Sequence, residues 1–375
     1  MILRPLTRMS VKTRDLNRHV RHVGGLKSCF DDSCKEGLIL KSSSTDIFQN
    51  LALEDWIHDH VDLQSRRILF LWRNAPVVVV GRHQNPWQEC NLDLMRRMGI
   101  PVARRRSGGG TVYHDLGNIN MTFFSSKKKY DRMRNLGVVT RGLKELRPNL
   151  DVCVTDRFDI ILNRCYKVSG TAARLGRTTA YHHCTLLCSS DRSILSSVLK
   201  SSCTGIKSNA TPSVPSPVAN LSDHDPTLNP ESIMDAIASG YNKEFDLDCP
   251  VLTVDPGSEV LIPGIHKMTS DLKDWDWVYG KTPKFSVCTF FMVENTNVGL
   301  EMDIKNGVVE SCIMDVPHDW LPADFVNEFC SSLTGVRFCP NEFAVAVAAF
   351  IRTTSSSPKH TQNTLSLCES IVSLM

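Results

Sequence analysis

Short apolar runs rich in β-branched side chains constrain the fold of this chain more than any other feature of its sequence. Ile68–Trp72 and Val77–Val80 are two such runs, and the four residues between them predict a β-hairpin. Asn118–Phe124 alternates polar and apolar residues, as strands do, and a further strand is predicted over Arg157–Leu162. We therefore expect a mixed or antiparallel sheet in the first part of the chain.

Helices are expected to pack on this sheet. Asp46 stands at a capping position before apolar residues at helical spacing, which indicates an amphipathic helix over residues 47–61. A second helix is predicted to begin at Pro230, after the capping residue Asn229. Thr211–Pro217 holds three prolines in seven residues and is predicted to be a loop, because proline fits neither a helix interior nor a central strand.

The last third of the chain carries its own set of elements. After a break rich in Pro and Gly at residues 255–264, strands are predicted at 284–293 and 298–304. An Asn-Gly turn then leads into a third strand. Helices are predicted at 323–333 and 341–352, each after a proline. These elements predict a small α+β domain that follows a larger one.

The charge of the chain is unevenly distributed. Of 375 residues, 43 are basic and 40 acidic, but residues 1–30 hold seven of the basic ones and a single acid, Asp15. The remainder, with 36 basic and 39 acidic residues, therefore has a formal charge of −3. An Arg-rich, acid-poor leader with hydroxyl residues and no apolar core is typical of an organellar transit peptide. The alternative is a disordered basic arm that binds nucleic acid or has no ligand.

Other classes of protein are excluded by simple counts. No apolar run approaches the ~20 residues that a membrane span requires, and the longest lies near residues 343–351. Fourteen cysteines in a chain of this length do not indicate a disulfide framework, so we expect reduced thiols. His182, His183, Cys184 and Cys188 could suggest zinc. However, no second Cys/His pair stands at a suitable spacing, so a packed strand is favoured and no structural metal is expected.

The densest chemical signal is the run Arg104–Asp115, which contains Ser107 and three consecutive glycines after three arginines. Glycines without Cβ atoms let backbone N–H groups approach an anion closely, and the arginines can neutralise it. The run therefore favours a phosphate ligand. It matches neither the dinucleotide fingerprint nor the Walker motif, and a plain glycine turn beside a basic surface remains equally acceptable from these residues alone.

Two further segments carry reactive or polar side chains in a setting of small residues. Lys167 begins the segment Lys167–Ala172, where its ammonium could meet a phosphate or a developing oxyanion without crowding the ligand. Thr185 would present a hydroxyl from a predicted strand over Tyr181–Leu187. Taken separately, a surface lysine and an ordinary packed strand explain these segments as well.

Taken together, the segments resemble the lipoate–protein ligase family. The resemblance rests on Arg-Arg-x-Ser-Gly-Gly-Gly-x-Val-x-His-Asp-x-Gly-Asn (104–118), Lys-x-Ser-Gly-x-Ala (167–172) and His-His-x-Thr-Leu-Leu (182–187). Wider strings are similar to the animal mitochondrial branch of that family, namely residues 81–88, 127–133 and 279–286. The likeness extends from about Gly37 to the end of the chain.

The resemblance implies a fold and a ligand. The fold would be α+β, with a large domain of the biotin/lipoate ligase type whose mixed sheet is flanked by helices, and a small α+β accessory domain. With the leader at 1–30, the domains would span 31–250 and 251–375. The ligand would be lipoyl-AMP, bound by Arg105, Ser107, Gly108, Gly109, Gly110, Thr111, Val112, Tyr113, Arg157, Asp159, Lys167 and Thr185, with Lys167 as the catalytic residue.

It also implies a reaction and its partners. The enzyme would be an acyltransferase in the mitochondrial matrix. It would move a lipoyl group to specific lysines in the lipoyl domains of 2-oxoacid dehydrogenase complexes. The donor would be lipoyl-AMP or the lipoylated H protein of the glycine cleavage system. The protein is expected to be a monomer without a nucleic-acid partner or a membrane span.

One position departs from the bacterial members of the family. Cys184 stands where those sequences have glycine, a departure shared with the animal branch that puts ATP-dependent lipoate activation in doubt. A complete ATP-dependent ligase is therefore the alternative enzyme. Transfer from an amide donor could use Cys184 as a thioester nucleophile, although a cysteine on a packed strand is favoured. A nucleic-acid-binding protein is disfavoured by the net acidic body of the chain.

Overall fold

The computed structural model describes residues 37–293, 295–354 and 357–375, so the predicted leader lies outside the described residues. Within them the chain is α+β. Its helices are α1 (Ile47–His60), α2 (Pro86–Glu89), α3 (Leu92–Met98), α4 (Arg132–Leu146), α5 (Arg192–Val198), α6 (Pro230–Phe245), α7 (Ile265–Lys273), α8 (Trp275–Val278), α9 (Ala323–Leu333), α10 (Pro340–Thr353) and α11 (Pro358–Val372). None of these helices is long and apolar enough to cross a membrane.

Four sheets contain the strands. They are β1 (Gly37–Ser42), β2 (Arg67–Trp72), β3 (Val77–Val80), β4 (Val102–Arg104), β5 (Val112–His114), β6 (Asn118–Ser126), β7 (Val152–Val154), β8 (Ile160–Leu162), β9 (Tyr166–Ser169), β10 (Thr171–Leu175), β11 (Thr179–Leu187), β12 (Ile206–Ser208), β13 (Val251–Val254), β14 (Phe285–Val293), β15 (Thr296–Lys305) and β16 (Val308–Asp315). The largest sheet has the order β10-β11-β6-β2-β1-β13. Its β1 pairs are parallel and the others antiparallel, so the predicted mixed sheet is confirmed.

The predicted hairpin between β2 and β3 is wrong. Both runs are buried strands, but β2 pairs with β1 and β6, while β3 lies at the centre of a separate sheet between β4 and β5. The link between them changes sheets and is held by Asn74, whose side chain bonds Asn50 and His114. Two adjacent apolar runs predict strands correctly but do not specify their partners, which here come from distant parts of the chain.

The helix predicted over residues 47–61 is confirmed as α1, and Asp46 caps it by accepting hydrogen bonds from the backbone N–H groups of Phe48 and Gln49. It is not amphipathic, however, because its residues from Asn50 to His58 are all buried. The helix lies between the main sheet and α7, and two of its three acidic residues, Glu54 and Asp55, are buried with partners from other elements. The polar residues in the middle of this helix are therefore part of the interior.

The strand predicted over Arg157–Leu162 is shorter than expected. Only Ile160–Leu162 forms a strand, while residues 156–158 make a turn in which Phe158 adopts a left-handed φ of 62°. The backbone N–H of Phe158 bonds the carbonyl of Thr155 and closes this turn. Arg157 and Asp159 are consequently presented from a turn rather than from a sheet.

The later elements match their predictions closely. Helix α6 begins at Pro230 after the cap Asn229, residues 211–217 are irregular, and β14, β15 and β16 pair in sequence. Helices α9 and α10 occupy the predicted positions, whereas α11 was not predicted. The domain boundary at residue 250 stays a prediction; β13 pairs with β1, and β12, earlier in the chain, pairs with β14.

The small sheet β4-β3-β5 packs against a different hydrophobic core on each of its faces. One of its faces, including Val78, Val80 and Val102, packs in a core shared with β14–β16 and α9–α11. Its other face, including Val79 and Ala103, packs in the core around α1 and β2. Because strand side chains alternate, this single sheet contributes to two hydrophobic cores, one on each face.

Candidate functional site

A cavity of about 510 Å³ lies beside the glycine run. Nine of the twelve residues predicted to hold the ligand line it: Arg105, Gly110, Thr111, Val112, Tyr113, Arg157, Asp159, Lys167 and Thr185. The other three, Ser107, Gly108 and Gly109, lie next to them without lining the cavity. Segments that are far apart in the sequence are therefore brought to one site, whose volume falls in the range of small-molecule pockets.

Arg105 stabilises the conformation of the glycine run through hydrogen bonds to its carbonyl oxygens. Its buried guanidinium donates hydrogen bonds to the carbonyl oxygens of Gly108 at 2.7 Å and Gly110 at 2.6 Å, and to that of Val79 at 3.1 Å. Burial lowers the pKa of Arg105 to about 10, so the group keeps its charge at neutral pH. Gly109 has a φ of 85°, and a Cβ there would lie 3.1 Å from the guanidinium, so glycine is required.

Of the three consecutive arginines, Arg105 alone lines the cavity. Arg104 is fully buried and points away from the cavity, where it bonds the carbonyl oxygens of Gln84 and Val278, each at 2.8 Å. Arg106 pairs with Asp55 at 2.9 Å and stacks on Trp277. Consecutive residues diverge at the end of a strand, so only one arginine of the run can enter the cavity.

The opposite wall of the cavity carries the charged groups. Lys167 Nζ lies 2.8 Å from Asp159 Oδ1, and the two side chains are 27% and 20% exposed, respectively. Arg157 is exposed and makes no hydrogen bond or ion pair with the described residues. A Cβ at Gly170 would lie 3.7 Å from both Lys167 Cε and Thr185 Oγ1, so glycine leaves room for a ligand beside these two side chains.

A buried polar chain that the sequence did not predict runs beneath the glycine run. The His183 ring bonds Glu54 Oε1 through Nδ1 at 2.9 Å and Ser107 Oγ through Nε2 at 3.0 Å. Burial alone would raise the pKa of Glu54, but His183 and a hydrogen bond from Thr122 hold this pKa below its usual value. These contacts fix the orientation of His183, which lines the cavity.

This arrangement makes the stability of the chain sensitive to acid. Folding lowers the pKa of Glu54, so its stabilising effect is present above the ordinary pKa of 4.5 and is lost as the pH falls. We expect Glu54→Gln to reduce the free energy of unfolding at pH 7 by about 1.5–3 kcal/mol. The difference between variant and parent should shrink towards pH 3 in urea unfolding. Glu231→Gln, at an exposed ion pair, is the control, and a difference that grows in acid would contradict the assignment.

Comparisons with known proteins identify the family. A family model described as "Lipoyl protein ligase A/B catalytic domain" matches residues 46–242, which include every residue of the cavity discussed above. The chain belongs to this family. It is 52% identical to the mitochondrial lipoyl amidotransferase of Homo sapiens over 350 residues, which are 92% of this chain and 94% of that protein. It is 49% identical to the corresponding protein of Mus musculus, over 93% and 98% of the two chains.

A solved relative extends the comparison to structure. The crystal structure of P. falciparum LipL1 in complex with lipoate is 26% identical and covers 90% of this chain and 99% of that one, with a TM-score of 0.57. The predicted α+β fold of the lipoate–protein ligase type is confirmed. The predictions of an enzyme that transfers lipoyl groups and of a mitochondrial location are confirmed as well. The role of each cavity residue stays a prediction.

The environment of Cys184 does not favour a role as a nucleophile. Alternation along β11 places His182 and Cys184 on the face opposite to His183, against the core formed by α4 and α6. Cys184 also borders the cavity, but it is only 2% exposed. Burial raises the pKa of the Cys184 thiol to about 12, so the reactive thiolate is scarce at neutral pH. In the part of the chain that the structure describes, no three His, Cys, Asp or Glu side chains are grouped to hold a metal ion.

Proposed function

We propose that the cavity binds lipoyl-AMP and that the enzyme transfers its lipoyl group to a lysine of a lipoyl domain in a mitochondrial 2-oxoacid dehydrogenase complex. One observation carries this proposal: a single cavity combines buried apolar walls with a charged wall. Leu51, Trp72 and Val79, all buried, suit the hydrocarbon chain and dithiolane ring. Arg157 and Lys167, which are more exposed, suit the phosphate and the reacting carbonyl.

The reaction needs little covalent chemistry from the protein. The ε-amine of the acceptor lysine attacks the acyl carbonyl of the mixed anhydride, the bond from that carbon to the phosphate oxygen breaks, and AMP leaves as the nitrogen loses a proton. Lys167 would stabilise the negative charge that develops on the carbonyl and phosphate oxygens. Its partner Asp159 would hold the ammonium in place before the donor binds. The protein otherwise positions the donor and excludes water.

The donor and the acceptor can be identified in one experiment. Purified residues 31–375 are incubated with the apo lipoyl domain of a 2-oxoacid dehydrogenase acyltransferase subunit and with one donor at a time: lipoyl-AMP, lipoylated H protein, or lipoate with ATP. We expect the domain to gain the mass of one lipoyl group with lipoyl-AMP, measured by intact mass spectrometry. Substituting the acceptor lysine of the domain by Arg gives the control.

The other outcomes are equally decisive. No gain of mass with either lipoyl-AMP or lipoylated H protein would contradict the proposal. A gain with H protein alone would replace lipoyl-AMP by an amide donor, whose amine leaves less readily. A gain with lipoate and ATP, accompanied by release of pyrophosphate, would instead indicate a complete ligase. Light scattering of the same sample tests the proposed monomer.

A further inference from the structure

A segment that runs along the edge of the cavity is attached to the body of the protein in two different ways. We call Thr211–Pro217 the strap; its residues are exposed except for Ser213, which is half-buried. Pro212, Ser213, Val214, Pro215 and Ser216 line the cavity. At its far end the strap joins β9 through backbone bonds, since the Lys167 N–H bonds the Pro217 carbonyl at 2.9 Å. Such bonds do not depend on side-chain identity.

At the near end, Thr211 donates its N–H to the His83 carbonyl and accepts from Gln84 Nε2, each at 3.3 Å, and the other hydrogen bonds involve Ser213. Its hydroxyl accepts hydrogen bonds from the backbone N–H of Thr111 at 2.9 Å and from Gln84 Nε2 at 3.0 Å. The hydroxyl donates its own proton to Glu89 Oε2, and the Ser213 N–H donates to Glu89 Oε1 at 3.1 Å. Every hydrogen-bonding position of the hydroxyl is therefore used, and both carboxylate oxygens of Glu89 accept from the same residue.

Among the described residues, the Glu89 side chain makes hydrogen bonds with Ser213 alone. Glu89 ends the short helix α2, is 9% exposed and lines the cavity, yet it has no ion pair among the described residues. A buried carboxylate without a cation is costly unless it accepts good hydrogen bonds, and both of the side-chain bonds that it accepts come from the strap. The Ser213 hydroxyl thus ties the strap both to Glu89 and, through the Thr111 N–H, to the residue that follows the three glycines.

We propose that Glu89 is a positioning residue for lipoyl transfer, which acts through Ser213 to hold the strap across the cavity. A mixed anhydride is consumed by water as well as by an amine, so a strap held in place retains the activated lipoyl group until the acceptor lysine arrives. The inference rests on the proposed function, because it requires an activated donor in the cavity. Neither Glu89 nor Ser213 takes part in bond formation or bond cleavage in this proposal.

Glu89→Gln is the informative variant because it conserves shape. Its amide offers one acceptor and one donor group where the two donors of Ser213 require two acceptors, so one hydrogen bond is lost and an N–H faces another donor. We expect the rate of lipoyl-AMP hydrolysis, measured without acceptor domain, to rise about tenfold relative to the rate of transfer, measured with acceptor domain, because one hydrogen bond to a charged group is lost. Ser213→Ala should behave alike, and the double variant should add little to either single one.

A readout independent of activity accompanies this test. Hydrogen exchange measured by mass spectrometry should be faster in Glu89→Gln for peptides that contain Ser213 and Thr111, and unchanged in β14–β16. Ser201→Ala is the matched control, since the Ser201 hydroxyl ties a loop to the same helix through Trp87 O at 2.7 Å but does not touch the strap. That variant should leave the ratio of hydrolysis to transfer unchanged.

The two proposals can fail separately. If the parent protein transfers the lipoyl group from lipoyl-AMP but Glu89→Gln has the parental ratio of hydrolysis to transfer, the role of Glu89 is overturned and the proposed function stands. If the parent does not use lipoyl-AMP, the proposed function fails; exchange at Ser213 and Thr111 then decides whether Glu89 holds the strap at all. Equal effects in Ser201→Ala and Glu89→Gln would also overturn the positioning role.

Discussion

Replacing Lys167 by Ala is expected to lower the rate of lipoyl transfer by about 100-fold or more, the usual effect of removing one group that stabilises a developing oxyanion. Lys167 lies at the charged wall of the cavity, 2.8 Å from Asp159, and Gly170 leaves space for a ligand beside its Cε. No second lysine lines the cavity in the described part of the chain, so another ammonium cannot replace it. The rate is measured in single turnover with lipoyl-AMP and an apo lipoyl domain.

The fold should survive this substitution. Lys167 is partly exposed, and its backbone bonds to Pro217 and Ala219 do not involve the side chain. Circular dichroism and the unfolding midpoint should therefore match those of the parent. Lys207→Ala, which removes an exposed lysine from β12 outside the cavity, should keep full activity. Parental activity in Lys167→Ala would remove the assigned role, whatever the fate of the Lys207 variant.

Local patterns were sufficient to predict much of this fold and site. The turn residues and apolar runs located half of the strands, and the helix caps located α1 and α6. The glycine run was recognised because missing Cβ atoms are visible in any sequence. The internal geometry of the glycine run could not be predicted, because the sequence does not reveal that the Arg105 side chain donates hydrogen bonds to the carbonyl oxygens of Gly108 and Gly110.

Pairings between distant residues account for what the sequence could not reveal. An amphipathic helix over residues 47–61 does not predict a buried carboxylate at Glu54, whose burial is explained by its partner His183 on β11. The link between Glu89 and Ser213 likewise spans 124 positions. The false hairpin has the same origin, because β2 and β3 are adjacent in sequence yet belong to different sheets. A single sequence specifies which residues can be buried better than it specifies what each buried residue contacts.

Arg104→Ala should reduce stability more than any other single arginine substitution in the glycine run. The Arg104 guanidinium is fully buried and bonds the carbonyl oxygens of Gly81, Gln84 and Val278 and the hydroxyl of Thr282. It thereby connects the loop before α2 to the segment that follows α8. Removing it leaves several buried acceptors without donors, at a cost of about 3–5 kcal/mol in the free energy of unfolding. Urea unfolding followed by tryptophan fluorescence measures this loss.

The matched control is Arg97→Ala. Arg97 is exposed and, among the described residues, pairs only with Asp93, at 2.9 Å, so its loss should cost less than about 1 kcal/mol. Arg104→Lys tests the geometry of the contacts rather than the charge. A lysine ammonium lacks the planar fork and cannot reach the carbonyl oxygens on both sides, so this variant should recover only a small part of the lost stability. Parental stability in Arg104→Lys would show that a buried positive charge, and not the fork of hydrogen bonds, connects the two segments.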